Sequence, residues 1–180
     1  MSILKYLPKY TFEDYKIWKG DWELIEGHSV SMSPSPVKKH QIVIGEIFGL
    51  FTNKLQKNNK NYNCSVYFEL DWKLNNNTIL RLDLVVVCDD NKSDFIEVVP
   101  SVVVEVLLPS THLRDRNTKF QIYQENGVSY YIMIDPNSEK IEIFQLVDNR
   151  FKEVFITEFV VKKDCVVQVD LDSIFNSIVT

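Results

Sequence analysis

LRLDLVVVC, residues 80–88, and SVVVEVLLPST, residues 101–111, decide how this chain is read. Each is an apolar run of the kind that forms a central strand covered on both faces. Each also carries one acid at its centre. Asp83 sits among Leu82, Leu84 and Val85, and Glu105 among Val103, Val104, Val106 and Leu107. Ionised carboxylates are seldom fully buried without a partner. A basic neighbour, a retained proton or a bound cation would each account for one such acid. Two on adjacent strands raise each other's pKa. A divalent ion answers both, because it supplies charge and accepts hard oxygen ligands. Two carboxylates with the remaining positions left to water are the usual make-up of a protein magnesium site.

Around these runs, helical and strand patterns follow one another without a linker or repeat. Thr11-Phe12-Glu13-Asp14 reads as a helix start, with Thr11 as N-cap and an acid three residues on, and Gly20 ends the segment. Trp22 to Ile25 and Ser29 to Met32 read as a hairpin turning at Glu26-Gly27. SPSP breaks the chain, and Pro36 is placed to open the next helix. That helix, VKKHQIVIGEIFGLFTNKLQKN, is the longest. Its apolar residues fall on more than one face, which predicts deep burial, and Gly45 and Gly49 predict a close backbone approach. A strand over Cys64 to Leu70 and a polar NNN turn precede the first acid-bearing run. Ser110 or Thr111 is the expected cap of a helix ending near Gly127. YYIMID is a strand, KIEIFQL and FKEVFITE form a hairpin over Asp148-Asn149, and CVVQVDLDSIFNSI gives a strand and a short helix. The expectation is one domain over residues 1–180 of mixed α/β (α+β) class. Helices pack on a mixed central sheet, with an extra hairpin towards each terminus.

The bulk composition narrows the function classes. With 180 residues, 45% hydrophobic and 25% charged, the chain suits one globular core. A net charge of −5 argues against a surface coated in Lys and Arg, though not against a local basic groove. No apolar run approaches the roughly 20 residues that cross a bilayer. MSILKYLPKYTFEDY lacks an apolar segment with a small-residue cleavage site, so no export signal is expected. Cys64, Cys88 and Cys165 are odd in number and scattered. They lack the spacing of a zinc or redox motif and suggest no disulfide scaffold, so a reduced, cytoplasmic protein is expected. The eight Tyr and eleven Phe are assigned to strands and core, without a stacking motif of single-strand binders.

The ordered set YTFEDY, WELIEG, MSPSP with the following His40, LDLVVVCDD, VVEVLLPST and RDRNTKFQIYQENGVSYYIMIDP carries a resemblance. It resembles the PD-(D/E)XK nuclease superfamily, and more closely a large bacterial branch of restriction-endonuclease-like proteins, the Uma-type family. The likeness runs through most of the chain. EVLLPST followed by a Lys and a Tyr one turn apart is its most specific part. It implies a restriction-endonuclease-like fold and a metal-dependent nuclease acting on DNA. It makes Asp83 and Glu105 the metal-binding carboxylates, with the carbonyl of Val106 a usual further ligand. Leu82 stands where the superfamily carries Pro, a position that supplies no chemistry. Leu107 stands where a Lys is expected two residues after Glu105, and the branch moves that ammonium to the next helix, where Lys119 matches. Oxygen-only ligands favour Mg2+ or Mn2+ over zinc. A homodimer is expected, because cutting both strands usually needs two sites and C2 pairs are the commonest oligomers.

Several residues have both a functional and a plain reading. Lys119 and Tyr123 are four apart and share a helix face that can reach back over the Glu105 strand. Lys119 can instead pair with Asp115, also four away. Glu23 in WELIEG completes the site or is a solvent-facing hairpin residue. His40 contacts phosphate or is merely a polar helix start. Glu46 is an extra acidic ligand or a solvated helix residue. Lys38, Lys39, Arg114 and Arg116 flank two helix starts, where phosphate is favoured, or form solvated faces. The rival to a nuclease is a module that keeps this fold without turnover and binds nucleic acid or protein. The missing Lys after Glu105 and the negative charge favour that rival, and the buried acid pair opposes it.

Overall fold

The computed structural model describes residues 7–32, 37–58, 62–91, 93–108 and 112–177. The two acid-bearing runs lie side by side at the middle of an eight-stranded sheet. In chain order the strands are β1 (Trp22–Ile25), β2 (His28–Ser31), β3 (Cys64–Asn75), β4 (Thr78–Cys88), β5 (Val102–Val106), β6 (Tyr130–Asp135), β7 (Lys140–Val147) and β8 (Arg150–Val154). The spatial order is β2-β1-β4-β5-β6-β7-β8, with β3 also paired to β4. Pairing is antiparallel except between β5 and β6. A parallel pair needs a crossover, and a helix supplies it. This helix, α3, runs His112–Arg114 in α geometry, Asp115–Lys119 in π geometry and Phe120–Glu125 again in α geometry. The other helices are α1 (Phe12–Tyr15) and α2 (Lys38–Asn58), and β9 (Glu158–Lys162) and β10 (Cys165–Gln168) form a separate small sheet before a 3-10 turn at Asp172–Ser177. The expected mixed class is observed: a mostly antiparallel central sheet flanked by helices.

Alternation along the central strands feeds two cores. Leu84, Val86, Val102, Val104, Val106 and Ile132 meet Val43, Ile47 and Phe51 of α2, while Val85, Val87, Val103 and Tyr131 meet Tyr123 of α3. A third, smaller core joins Phe12 and Tyr15 to Leu24 and Ile79. Local chemistry sets the ends. The backbone N–H and hydroxyl of Thr11 both donate to Asp14 Oδ2 at 2.8 Å, closing the foreseen N-terminal box. Asp148 and Asn149 take φ of 52° and 59°, the pair of positive values that a two-residue hairpin turn requires.

Four expectations need correction. Helix α2 buries one stripe, Val43, Ile44, Ile47, Phe51 and Leu55, while Ile42 is 41% exposed. That stripe alone satisfies the core, so no second face is covered. Correspondingly, a Cβ at Gly45 or Gly49 would meet nothing within 4 Å, so neither glycine serves a close approach. Cys64 and Cys88 are joined by a disulfide. Their spacing gave no hint because they meet only through the β3–β4 register, which sets them opposite each other. Cys165 is free and buried. The strand from Cys64 also runs past Leu70 to Asn75. The expected cap at Ser110 or Thr111 and the helix opening at Pro36 lie outside the described residues.

Candidate active site

Strand β4 has β3 along one edge but two different partners on the other. It meets β1 at Ile79 opposite Leu24, and β5 from Leu84 opposite Val104 to Val86 opposite Val102. Between Ile79 and Leu84 the sheet forks. Buried backbone groups inside such a fork must find other partners. The Arg81 N–H donates to Glu23 Oε1 at 3.2 Å, and the Arg81 carbonyl accepts from Lys119 Nζ at 2.9 Å. Glu23 from β1 and Lys119 from α3 therefore fill the fork as side-chain substitutes for a strand.

Asp83 sits where β4 loses its alternation. Leu80 and Leu82 share the α3-side core with Val85 and Val87, so the period of two slips by one between them. The β3–β4 ladder skips Asp83, and it skips Glu69 opposite, whose φ is 50°. Such irregularities re-aim side chains next to functional sites. Here the slip turns Asp83 to the β5 edge. The Val106 N–H donates to its Oδ2 at 2.8 Å, and His40 Nε2 of α2 lies 3.2 Å from the same atom. The Asp83 side chain stays 19% exposed.

Glu105 shares its face of β5 with Val103 and Leu107, beneath α3. Its Oε1 accepts from Tyr123 at 2.6 Å and from Lys119 at 2.9 Å. The π segment exposes Asn117 and Thr118 and buries Asp115 and Lys119. Lys119 thus faces three acids: Glu105, Glu23 Oε1 at 3.1 Å, and Asp115 at 3.9 Å. The longer distance makes the surface-pair reading of Lys119 the lesser contact. Glu105 and Lys119 are each 2% exposed and Glu23 is fully buried. Arg114 closes the far side, with Nη1 3.3 Å from Glu23 Oε2 as an ion pair that lacks hydrogen-bond alignment.

The charge balance follows from these contacts. Burial alone would push the Asp83 carboxyl up, but the His40 contact, the Lys119 charge and the Val106 N–H outweigh it and hold the acid below the ordinary carboxylate range. Burial pushes Glu105 well above that range; Lys119 opposes this, while Asp83 and Asp115 add to it. The two acids of the opening runs therefore sense each other. For Lys119, burial works against the charge, and Glu105, Glu23, Asp115 and Asp83 together overcome it, so its pKa lies above the usual ammonium value. Burial likewise raises Tyr123 well above the phenol range, so it remains a donor.

Of the residues singled out in the sequence, Asp83, His40 and Val106 form one hydrogen-bonded cluster and Glu105, Lys119, Tyr123 and Glu23 a second, and the two are coupled through the charges of Lys119 and Asp83. Glu46, half-buried on α2, makes no hydrogen bond or ion pair with a described residue. The suggested basic patch disperses, since Arg114 turns inward to Glu23 and Arg116 pairs with Glu142. The Arg81 side chain pairs with Asp71 and Asp21. Sequence reasoning missed two contributions, the Arg81 backbone and the inward turn of Arg114. Both depend on the fork and leave no local signature.

Whether these residues fit a metal turns on their free atoms. Among the described residues, no three His, Cys, Asp or Glu side chains form a ready-made cage. Asp83 and Glu105 are each held through one oxygen, and neither Asp83 Oδ1 nor Glu105 Oε2 accepts a hydrogen bond from a described residue. Two such hard oxygens on neighbouring strands suit an ion that keeps several waters.

Tyr123→Phe keeps the ring and removes one donor from a buried carboxylate. It should cost about 1.5–3 kcal/mol in urea-induced unfolding. A midpoint equal to wild type would show that Lys119 alone satisfies Glu105.

Comparison with known proteins bears on the fold and the family. A "putative nuclease" belonging to DUF820 from Anabaena variabilis superposes with a TM-score of 0.70 at 13% identity, covering 92% of this chain and 97% of that one. At that identity the match establishes a nuclease-like fold alone. An uncharacterized protein of Synechocystis sp. is 29% identical over 152 residues, 79% of this chain and 77% of its own. The model of the Uma2 family, described as "Putative restriction endonuclease", matches residues 12–171, and the chain belongs to that family.

Proposed function

We propose that the chain is a divalent-metal-dependent nuclease that hydrolyses phosphodiester bonds in DNA, with Asp83, Glu105 and the Val106 carbonyl as the metal ligands. The observation that carries this reading is the pair of acids on β4 and β5, each anchored through one oxygen and uncommitted at the other. Membership of a restriction-endonuclease family supports a nucleic-acid substrate. A bound Mg2+ or Mn2+ would supply Lewis-acid polarisation of a phosphoryl oxygen and a lowered pKa for the attacking water. The protein's part is positioning. Its Val106 N–H fixes Asp83, and an extended residue turns its N–H and C=O to the same edge, so the carbonyl points to that acid too. Tyr123 and Lys119 fix Glu105, and His40 steadies Asp83 from α2. An ammonium has three donors, and those of Lys119 match Glu105, Glu23 and the Arg81 carbonyl. Lys119 is therefore a positioning residue, and direct stabilisation of a phosphoryl group by it requires one of those contacts to open. The same reading takes residues 1–180 as one domain and a C2 homodimer as the form that cuts both strands.

Calorimetric titration with Mn2+ tests the site: wild type should bind, and Asp83→Ala should not. No binding by wild type would sink the enzyme reading. The second reading, a nuclease-fold module without turnover, draws on the burial of Lys119 and Glu105. It takes over if Mn2+ binds yet neither DNA nor RNA is cut.

A further inference from the structure

We infer that a cavity on the N-terminal hairpin is a second binding site, one that takes an unstacked nucleotide. The cavity, of about 300 Å3, is lined by Tyr10, Trp18, Lys19, Trp22 and Ser29. Alternation along β1 sets Trp22 on the opposite face from Glu23, so the cavity is separate from the acid network. Its walls are aromatic. Tyr10 and Trp18 lie 5.1 Å apart at 86°, and Trp18 and Trp22 lie 6.0 Å apart at 68°. Trp18 is also met by Tyr15 at 5.6 Å and 62°, whereas Tyr10 and Trp22 each meet no ring but Trp18 among the described residues and so keep a face clear of other rings. Trp22 is pinned by its Nε1 donating to the Lys19 carbonyl at 2.9 Å, which also fixes where Lys19 leaves the backbone.

The polar groups around these faces decide the ligand. The Tyr10 hydroxyl, Trp18 Nε1, Ser29 hydroxyl and Lys19 ammonium make no hydrogen bond or ion pair with any described residue. Among the described residues, no acid lines the cavity. A quaternary or methylated ammonium, which aromatic walls also attract, would meet the Lys19 charge with nothing to offset it. A purely apolar ligand would leave four polar groups without partners. A nucleotide satisfies every part: its base presents flat faces to the rings, its ring atoms accept from Tyr10, Trp18 and Ser29, and its phosphate meets Lys19. A base in duplex DNA has both faces already stacked, so the fitting form is unpaired. The choice of a nucleic-acid strand as the source rests on the nuclease reading; the cavity's preference for a nucleotide does not.

Tryptophan emission reads the event directly, because Trp18 and Trp22 line the cavity while the third tryptophan, Trp72, is buried in the core. With the full chain in EDTA, a short oligodeoxyadenylate should quench emission. Lys19→Glu, at an exposed position, should weaken its Kd about tenfold or more, as should Tyr10→Ala, in line with the worth of one stacked base. A blunt duplex of equal length should bind at least ~10-fold more weakly than the strand. Deoxyadenosine monophosphate forms a parallel arm. Weaker binding than the strand identifies a strand as the source, and equal binding identifies the free nucleotide. Absence of quenching in both arms, equal affinity for duplex, or an unchanged Kd in Lys19→Glu overturns the inference. Cleavage with Mn2+ is scored separately. Cutting without quenching removes this site and leaves the nuclease, and quenching without cutting does the reverse.

Discussion

Asp83→Asn should lower metal-dependent DNA cleavage by at least ~10^3-fold while leaving the fold intact. The substitution separates the two jobs of this side chain. Its Oδ2 is structural, accepting from the Val106 N–H and meeting His40. An asparagine carbonyl can occupy that position and keep both contacts. The other atom, uncommitted Oδ1, becomes an amide nitrogen, which donates and cannot ligate. Loss of the ion's Lewis-acid action on phosphoryl oxygen, several kcal/mol at about 1.4 kcal/mol per decade, gives the stated factor. Stability should fall by only about 1 kcal/mol, because charge-assisted hydrogen bonds become neutral ones. Initial rates on a supercoiled plasmid at saturating Mg2+, read beside urea midpoints, give both quantities. A variant that cuts within tenfold of wild type would remove Asp83 from the chemistry, whatever its stability.

How much of this arrangement a sequence can carry is clear from individual residues. Asp83 and Glu105 stand out because each interrupts an apolar run, and runs of that length predict central strands. Lys119 and Tyr123 are legible through their spacing, since four residues on a helix return to one face, and both do reach Glu105 Oε1. The slip at Asp83 is another matter. It involves Glu69 at positive φ on the strand opposite, and no property of residues 80–88 alone encodes it. The fork between β1 and β5 is equally hidden, because it arises from two strands sharing one edge of β4. That is why Glu23, plausible as a solvent-facing hairpin residue, proves fully buried. The pairing of Cys64 with Cys88 is hidden for the same reason, since register, not spacing, brings them together. The aromatic cavity gathers Tyr10 and Trp18 from the loops on either side of α1, and Trp22 from β1. Their contiguity exists only in three dimensions, so no stacking motif could be read beforehand.

Lys119→Met should destabilise the protein by about 3–5 kcal/mol at pH 8, the range for removing one partner of a buried ion pair. Methionine fills the volume of the stem, so the loss is electrostatic rather than a cavity. Without the ammonium, Glu105 and Glu23 face each other's charge with only Arg114 near, and the Arg81 carbonyl loses its donor. The pH dependence follows from the directions of the shifts. The folded pKa of Lys119 is raised, so its contribution is fully present below the unfolded value near 10.4 and is lost only in strong alkali. Between pH 5 and 8 Lys119 itself stays protonated in both the folded and the unfolded chain. Glu105 is raised as well, so the folded state holds that proton more tightly than the unfolded chain. Stability therefore declines as pH rises from about 4.3, the unfolded value, through the raised one. Removing Lys119 takes away the charge that opposes this rise, so the variant should lose more stability at pH 8 than at pH 5. Urea unfolding in EDTA at both values measures the difference. An equal deficit at the two pH values, or none at pH 8, would mean that Glu105 keeps its proton throughout and that the ammonium is not what holds the acid network together.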